Sequence, residues 1–371
     1  MNIHRLSGPA LEKVFAEKLK EILRGIEWLS DWRVEQIGHG SDAGFDLLAT
    51  LSLPGGGKAA LCVECKRMLR PSLFGMIAEK SFFPRGRPKV VVPVLALPSV
   101  SSRVADLCEE HGWSWFDLAG NHRLDVPGML RLEHTGNAPV HEQPVAKANL
   151  STPEVARVIR ALLLPEHAEL RWTQREMQQE CSPSVSLGLV NKVVRYLRDE
   201  AFVEVQADGG FKLRDPVKLL FAWRDVYRFN RINRRGFFTL YQGKRLHDAL
   251  LGLSSVQNGH TAYAAFSAAE FQAPHVRQPK TWLYVSPSAE DEFRVRLDAK
   301  TVDSGENLIV LTPADEGVFY RLDNIKQRLA STNAVQTYVD VYHAGGRGEE
   351  AAEALLQQRL KPEWKARGLK V

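Results

Sequence analysis

The chain is poor in cysteine, and that narrows the reading first. Four cysteines in 371 residues, Cys62, Cys65, Cys108 and Cys181, are too few and too scattered for a disulfide framework. Cys62 and Cys65 match C-x2-C, but they fall in an expected strand, where odd spacing turns side chains to opposite faces and argues against a zinc knuckle. No apolar run approaches the roughly 20 residues of a membrane span, and no charged start leads into one. Membrane insertion and secretion are therefore unsupported, and a cytoplasmic location is expected. Neither sign of charge dominates: 49 Lys and Arg against 44 Asp and Glu leave a formal +5, a mild bias toward polyanions. A nucleotide-binding glycine loop, an H-E-x-x-H pair, a recognisable catalytic triad and internal repeats are also missing. What is present is ordinary for a globular protein, with 44% hydrophobic and 25% charged residues, and the length suits two or three domains.

The fold class is expected to be mixed α/β. Residues 1–140 alternate helix and strand signals, from the helical "ALEKVFAEKLKEIL" through "WRVEQIGH" and the apolar strand "KVVVPVLAL" to short strands at "WSWFDL" and "HRLDV". A stretch without periodicity, "TGNAPVHEQPVAKANLS", reads as a linker. Residues 151–215 become helical and end in a hairpin, residues 221–236, "FAWRDVYRFNRINRRG", read as a basic, aromatic-rich helix or connector, and residues from about 236 to 371 return to α/β signals.

The segment "FDLLATLSLPGGGKAALCVECKR" carries the chemistry. A turn within the glycines sets Asp46 across the ladder from Glu64 and Lys66, which share one face of their strand. Two carboxylates so placed repel unless a cation joins them. Mg2+, or Mn2+, takes oxygen ligands, and Asp46, Glu64 and the Cys65 carbonyl would supply them. Such an ion polarises a phosphoryl oxygen and generates hydroxide, while the Lys66 ammonium stabilises growing negative charge. A plain surface ion pair is the alternative, but Glu64 interrupts a strand that otherwise looks buried on both faces.

With Phe45-Asp46 followed by Glu64-Cys65-Lys66, this segment resembles the PD-(D/E)xK nuclease superfamily, whose core is a helix, a three-strand meander, a helix and a further strand. The resemblance implies a restriction-endonuclease-like domain over about the first 130 residues. Proline is absent before Asp46. The family's additional helical acid falls on Glu12 in "GPALEKV", which borders the apolar face of Leu11, Phe15, Leu19 and Ile22, whereas Glu17 lies opposite. Arg70, Arg85, Arg87 and Lys89 stand nearby as phosphate contacts or a solvated loop. Segments around "DLAGN" and "GGRGEEAAEALL" also resemble bacterial proteins related to antitoxins of type IV abortive-infection systems, although Asp117 and Asn121 are expected simply to make turn hydrogen bonds around Gly120.

Three helices and a hairpin over 151–215 spell a winged helix-turn-helix. Its third helix is expected to turn Leu187, Val190, Val194 and Leu197 inward. Ser184, Ser186, Asn191, Lys192, Arg195 and Arg198 then face double-stranded DNA, with Lys212 and Arg214 of the wing on phosphates. The preferred expectation is a Mg2+-dependent DNA endonuclease with Asp46, Glu64, Lys66 and Glu12 catalytic, acting as a homo-oligomer because one such site cuts one strand. The alternative is a DNA-binding transcriptional regulator or antitoxin-like protein whose nuclease fold is a scaffold.

Overall fold

In the computed structural model, the apolar stretch Gly57–Cys65 becomes a strand deep inside a seven-stranded sheet. The structure describes residues 6–29, 31–37, 44–53, 57–82, 84, 88, 90–140, 148–206, 209–229, 232–253, 260–326 and 328–371. The chain is mixed α/β and divides into two units, Met1–Ala146 and Lys147–Val371. The expected linker residues 141–147 lie outside the described residues.

The first unit opens with α1 (Gly8–Arg24), followed by the antiparallel strands β1 (Trp32–Gln36), β2 (Leu47–Leu53) and β3 (Gly57–Cys65). After α2 (Phe74–Ala78), β4 (Val90–Leu97) joins β3 in parallel, and after α3 (Ser102–Glu110), β5 (Ser114–Asp117) joins β4 in parallel. β6 (His122–Val126) and β7 (Leu130–His134) close the sheet antiparallel. β7 was not anticipated: it follows a turn at Gly128, whose φ of +70° suits glycine, and it is a half-exposed edge strand with a weak apolar pattern. Period-two alternation gives the sheet two buried faces. Ala59, Leu61 and Val63 pack with Leu11, Phe15 and Leu19 of α1, whereas Ala60 and Cys62 pack with Phe45 and Phe82 on the other face.

The second unit starts with α4 (Pro153–Leu163), α5 (Gln174–Glu180), α6 (Leu187–Asp199) and the hairpin β8 (Val203–Val205) with β9 (Phe211–Leu213). Next come α7 (Pro216–Arg224), β10 (Asn233–Phe238), α8 (Gly243–Gly252), β11 (Thr261–Tyr263), α9 (Ala265–Gln272), β12 (Thr281–Val285) and α10 (Glu290–Leu297). β13 (Lys300–Thr301), β14 (Leu308–Thr312), α11 (Ala334–His343), α12 (Gly348–Leu355) and α13 (Lys361–Ala366) complete it. The strands form a sheet ordered β11-β12-β14-β10-β13. β10 carries "NRRGFF", where a helix or connector was expected; it pairs antiparallel with β14, and Gly236 leaves room for Glu306, which lies 3.0 Å from a would-be Cβ.

Residues 151–215 and 236–371, expected as separate domains, lie in this one unit and share a core. Val158, Ile159, Val194 and Leu197 belong to the same apolar cluster as Trp282, Tyr338 and Trp364. Polar ties run along it: Arg157 Nε donates to Asp315 at 3.0 Å, and the Trp364 indole N–H donates to the Leu163 carbonyl at 3.0 Å. Among the described residues no helix is long and apolar enough to cross a membrane.

Candidate functional site

Two places gather the residues singled out by sequence. The first is the end of the β2–β3 ladder. The ladder ends where Leu47 pairs with Val63, which brings Asp46 to the same sheet end as Glu64; the expected turn residues 54–56 lie outside the described residues. Asp46 Oδ2 accepts from the Cys65 amide at 2.7 Å, and its own N–H donates to the Val63 carbonyl at 2.9 Å. Glu64 is only 2% exposed, and one of its oxygens, Oε1, is held by Lys66 Nζ and, at 2.6 Å, by Lys80 Nζ. The Lys66 amide donates to the Ala96 carbonyl of β4 at 3.0 Å, fixing where that side chain departs. Local spacing gives Lys80 no role in the sequence. Its signal is topological: the chain runs through α2 along the face that Glu64 shares with Ala60 and Cys62.

Glu12, 7% exposed, belongs to α1, and α1 packs on the odd-numbered face of β3, the side of Val63 and Cys65. Glu64, Lys66 and Lys80 meet on the other face, while Asp46 and Glu12 both act on the Cys65 thiol. Burial, reinforced by Asp46, Glu12 and Glu64, holds the Cys65 thiol protonated far above the ordinary cysteine range. Among the described residues, no three or more His, Cys, Asp or Glu side chains are grouped to hold a metal ion. The carboxylates Asp46 and Glu64 are of the right chemical kind for Mg2+, and each already has a partner of its own here. Asp46 is tied to a backbone amide, and Glu64 is held by two ammonium groups. Arg70 is exposed, and Arg85, Arg87 and Lys89 lie outside the described residues.

The turn at residues 117–121 is structural, as expected. Asp117 Oδ1 accepts from the Asn121 amide at 3.0 Å, Asn121 Nδ2 donates to Asp117 Oδ2 at 3.0 Å, and Gly120 has φ of +92°.

The second place is α6. Thr173 and Glu176 form the anticipated capping box at the start of α5, and Trp172 bridges Phe211 of the hairpin through paired backbone bonds of 2.7 and 2.8 Å. Val190, Val193, Val194 and Leu197 are buried in α6. Leu187, expected inward, is 38% exposed; it is the first residue of the helix, and Val193 fills the core position instead. Lys192, Arg195 and Arg198 are exposed, as are Lys212 and Arg214 beside the hairpin. Ser186 caps α6 by accepting from the Leu189 amide at 3.2 Å, and the Ser184 carbonyl takes Arg157 Nη1 at 3.0 Å, so both serines have structural duties. Asn191 donates to Gln174 of α5 at 3.1 Å and accepts from Arg195 at 3.2 Å, which orients that guanidinium. Arg198 pairs with Asp199 at 2.9 Å.

Behind α4 lies a buried polar cluster that sequence reading did not anticipate. Arg160 Nε donates to Gln336 Oε1 at 2.8 Å, and Asp340 Oδ1 accepts from Tyr227 at 2.7 Å, Gln336 at 2.8 Å and Tyr284 at 3.0 Å. Burial raises the Asp340 pKa to about 6, although the three donors act in the opposite direction.

A family model described as a transcriptional regulator, the AbiEi antitoxin of type IV toxin–antitoxin systems, matches residues 212–361, less than half of the chain. The match runs from within β9 to the first residue of α13 and includes "GGRGEEAAEALL", but not "DLAGN". No curated protein and no solved structure matches the chain.

Proposed function

We propose that this protein is a DNA-binding transcriptional regulator of the antitoxin-like kind, with α6 as its recognition helix. The observation that carries this reading is the exposed basic face of α6, Lys192, Arg195 and Arg198, on the third helix of a helix, helix, helix, hairpin series. That order is the winged helix-turn-helix, in which the third helix enters the major groove and the hairpin reaches phosphates. Lys212 and Arg214 suit the second task. The regulator family match over residues 212–361 supports the same reading. Self-association into a two-fold dimer belongs to it, because paired recognition helices read paired half-sites.

In this reading the first unit is a nuclease-like scaffold. Its element order of helix, meander, helix and strand agrees with the restriction-endonuclease-like core. A second reading, metal-dependent hydrolysis of DNA by Asp46, Glu64 and Lys66, is favoured by their meeting at one sheet end. It requires Glu64 to exchange an ammonium partner for the ion.

The test uses the full chain, because α4–β9 shares its core with the later sheet. Duplex binding should weaken steeply with salt. Lys192→Ala and Arg195→Ala should each weaken it further and lower the salt slope by about one, as expected when one phosphate is no longer neutralised. Absence of duplex binding at low salt would overturn the regulator reading. Plasmid nicking that appears with Mg2+ and vanishes in Glu64→Gln would install the hydrolase reading in its place.

A further inference from the structure

Gly188 is the second residue of α6, and the fold gives no reason for it. Glycine is a poorer helix former than alanine. It normally occurs where φ is positive or where a side chain would collide. Gly209 illustrates the first case with φ of +83°, and Gly210 the second, since a Cβ there would meet Arg171 Nε at 2.5 Å. Gly188 fits neither: it is helical, and a Cβ added to it meets nothing within 4 Å. It is also exposed, and it lies with Lys192 and Arg195 at i, i+4 and i+7, on one stripe of the outer face.

We infer that the missing side chain is clearance for duplex DNA, making Gly188 the point of closest approach between α6 and its DNA. This deepens the DNA-binding reading of α6 and rests on it. The stripe then divides its work: Gly188 admits the edge of a base pair or a sugar-phosphate against the helix backbone, while Lys192 and Arg195 engage neighbouring groups. Gly75 of α2 also has open space around a would-be Cβ, but its helix, "FGMIA", carries no charge and its neighbours Leu73 and Met76 are exposed apolar residues. Nothing there matches a polyanion.

The test compares Gly188→Ala, Gly188→Gln and, as a control, Gly75→Ala in the full chain. Binding is measured to a pool of random-sequence duplex oligonucleotides and to the sequences that the wild type enriches from it. Gly188→Ala should raise the melting temperature by roughly 2 °C, because alanine is the better helix former. The same change should weaken binding to the enriched sequences about tenfold, the scale of losing one good base contact, and the bulkier glutamine should weaken it further. A merely structural glycine could not move stability and affinity in opposite directions. Unchanged affinity in both Gly188 variants, or an equal loss in Gly75→Ala, would overturn the inference while leaving DNA binding intact. A wild-type chain that binds no duplex would overturn the reading of α6 and the inference with it.

Discussion

Glu64 of the first unit and Asp340 of the second are both carboxylates taken almost wholly out of water, 2% and 0% exposed, yet they are stabilised in different ways. Glu64 is held by the ammonium groups of Lys66 and Lys80, whose side chains remain 38% and 39% exposed. Asp340 is held by the phenols of Tyr227 and Tyr284 and the amide of Gln336. Buried charge needs compensation, and charged partners and neutral donors both supply it. Ammonium partners that reach water can be drawn away from Glu64 by a competing anion such as a phosphate. Neutral partners sealed in the core leave part of the penalty standing, and the Asp340 pKa of about 6 records it.

The contrast can be broken most strongly at Glu64. Replacing both Lys66 and Lys80 by methionine leaves a buried carboxylate uncompensated and should destabilise the first unit by about 3 kcal/mol or more in urea unfolding. A double-mutant cycle should show non-additivity, because either lysine alone still neutralises Glu64.

The next largest effect depends on pH. Asp340 keeps its proton to about pH 6 in the folded protein, whereas an unfolded aspartate loses it near its ordinary value of 3.8. Stability is therefore fully present below the unfolded pKa and is lost as pH rises from about 4 to about 6. Asp340→Asn keeps an oxygen for Tyr227, Gln336 and Tyr284 without the charge. Its effect on the stability of the second unit should therefore be more favourable at pH 7 than at pH 4, as read by chemical unfolding. Equal effects at the two pH values would remove the assignment.

Smaller changes sharpen the comparison. Lys80→Met alone should cost about 1 kcal/mol, because Lys66 remains. Tyr284→Phe should cost a similar amount at pH 7, and somewhat less once Asp340 is protonated; chemical unfolding at both pH values reads the difference.

The parts of this arrangement legible in the sequence are those set by local geometry. Two apolar runs either side of a glycine stretch announced the β2–β3 pairing, and Thr173 with Glu176 announced the start of α5. The meeting of Lys80 with Glu64 depends on where α2 lies over the sheet, which no spacing encodes. The burial of Glu12 follows from its place beside the apolar side of its helix. Leu187 misled for a simpler reason: helical phase assumes a neighbour for every apolar position, and the first turn of a helix can overhang its core. The Arg160–Gln336–Asp340 cluster joins residues too distant in sequence for any pattern to connect.

The bond from the Trp364 indole to the Leu163 carbonyl joins residues 201 positions apart, and it has a consequence in time. A ribosome adding about 5 to 20 residues per second delivers α4 on the order of ten to forty seconds before Trp364 follows. During that interval the helices that present α6 lack part of the core against which they pack. If α6 reads DNA as proposed, a chain still in synthesis is poorly prepared to do so, and a product truncated before Trp364 lacks the bond that ties α4 to the end of the chain.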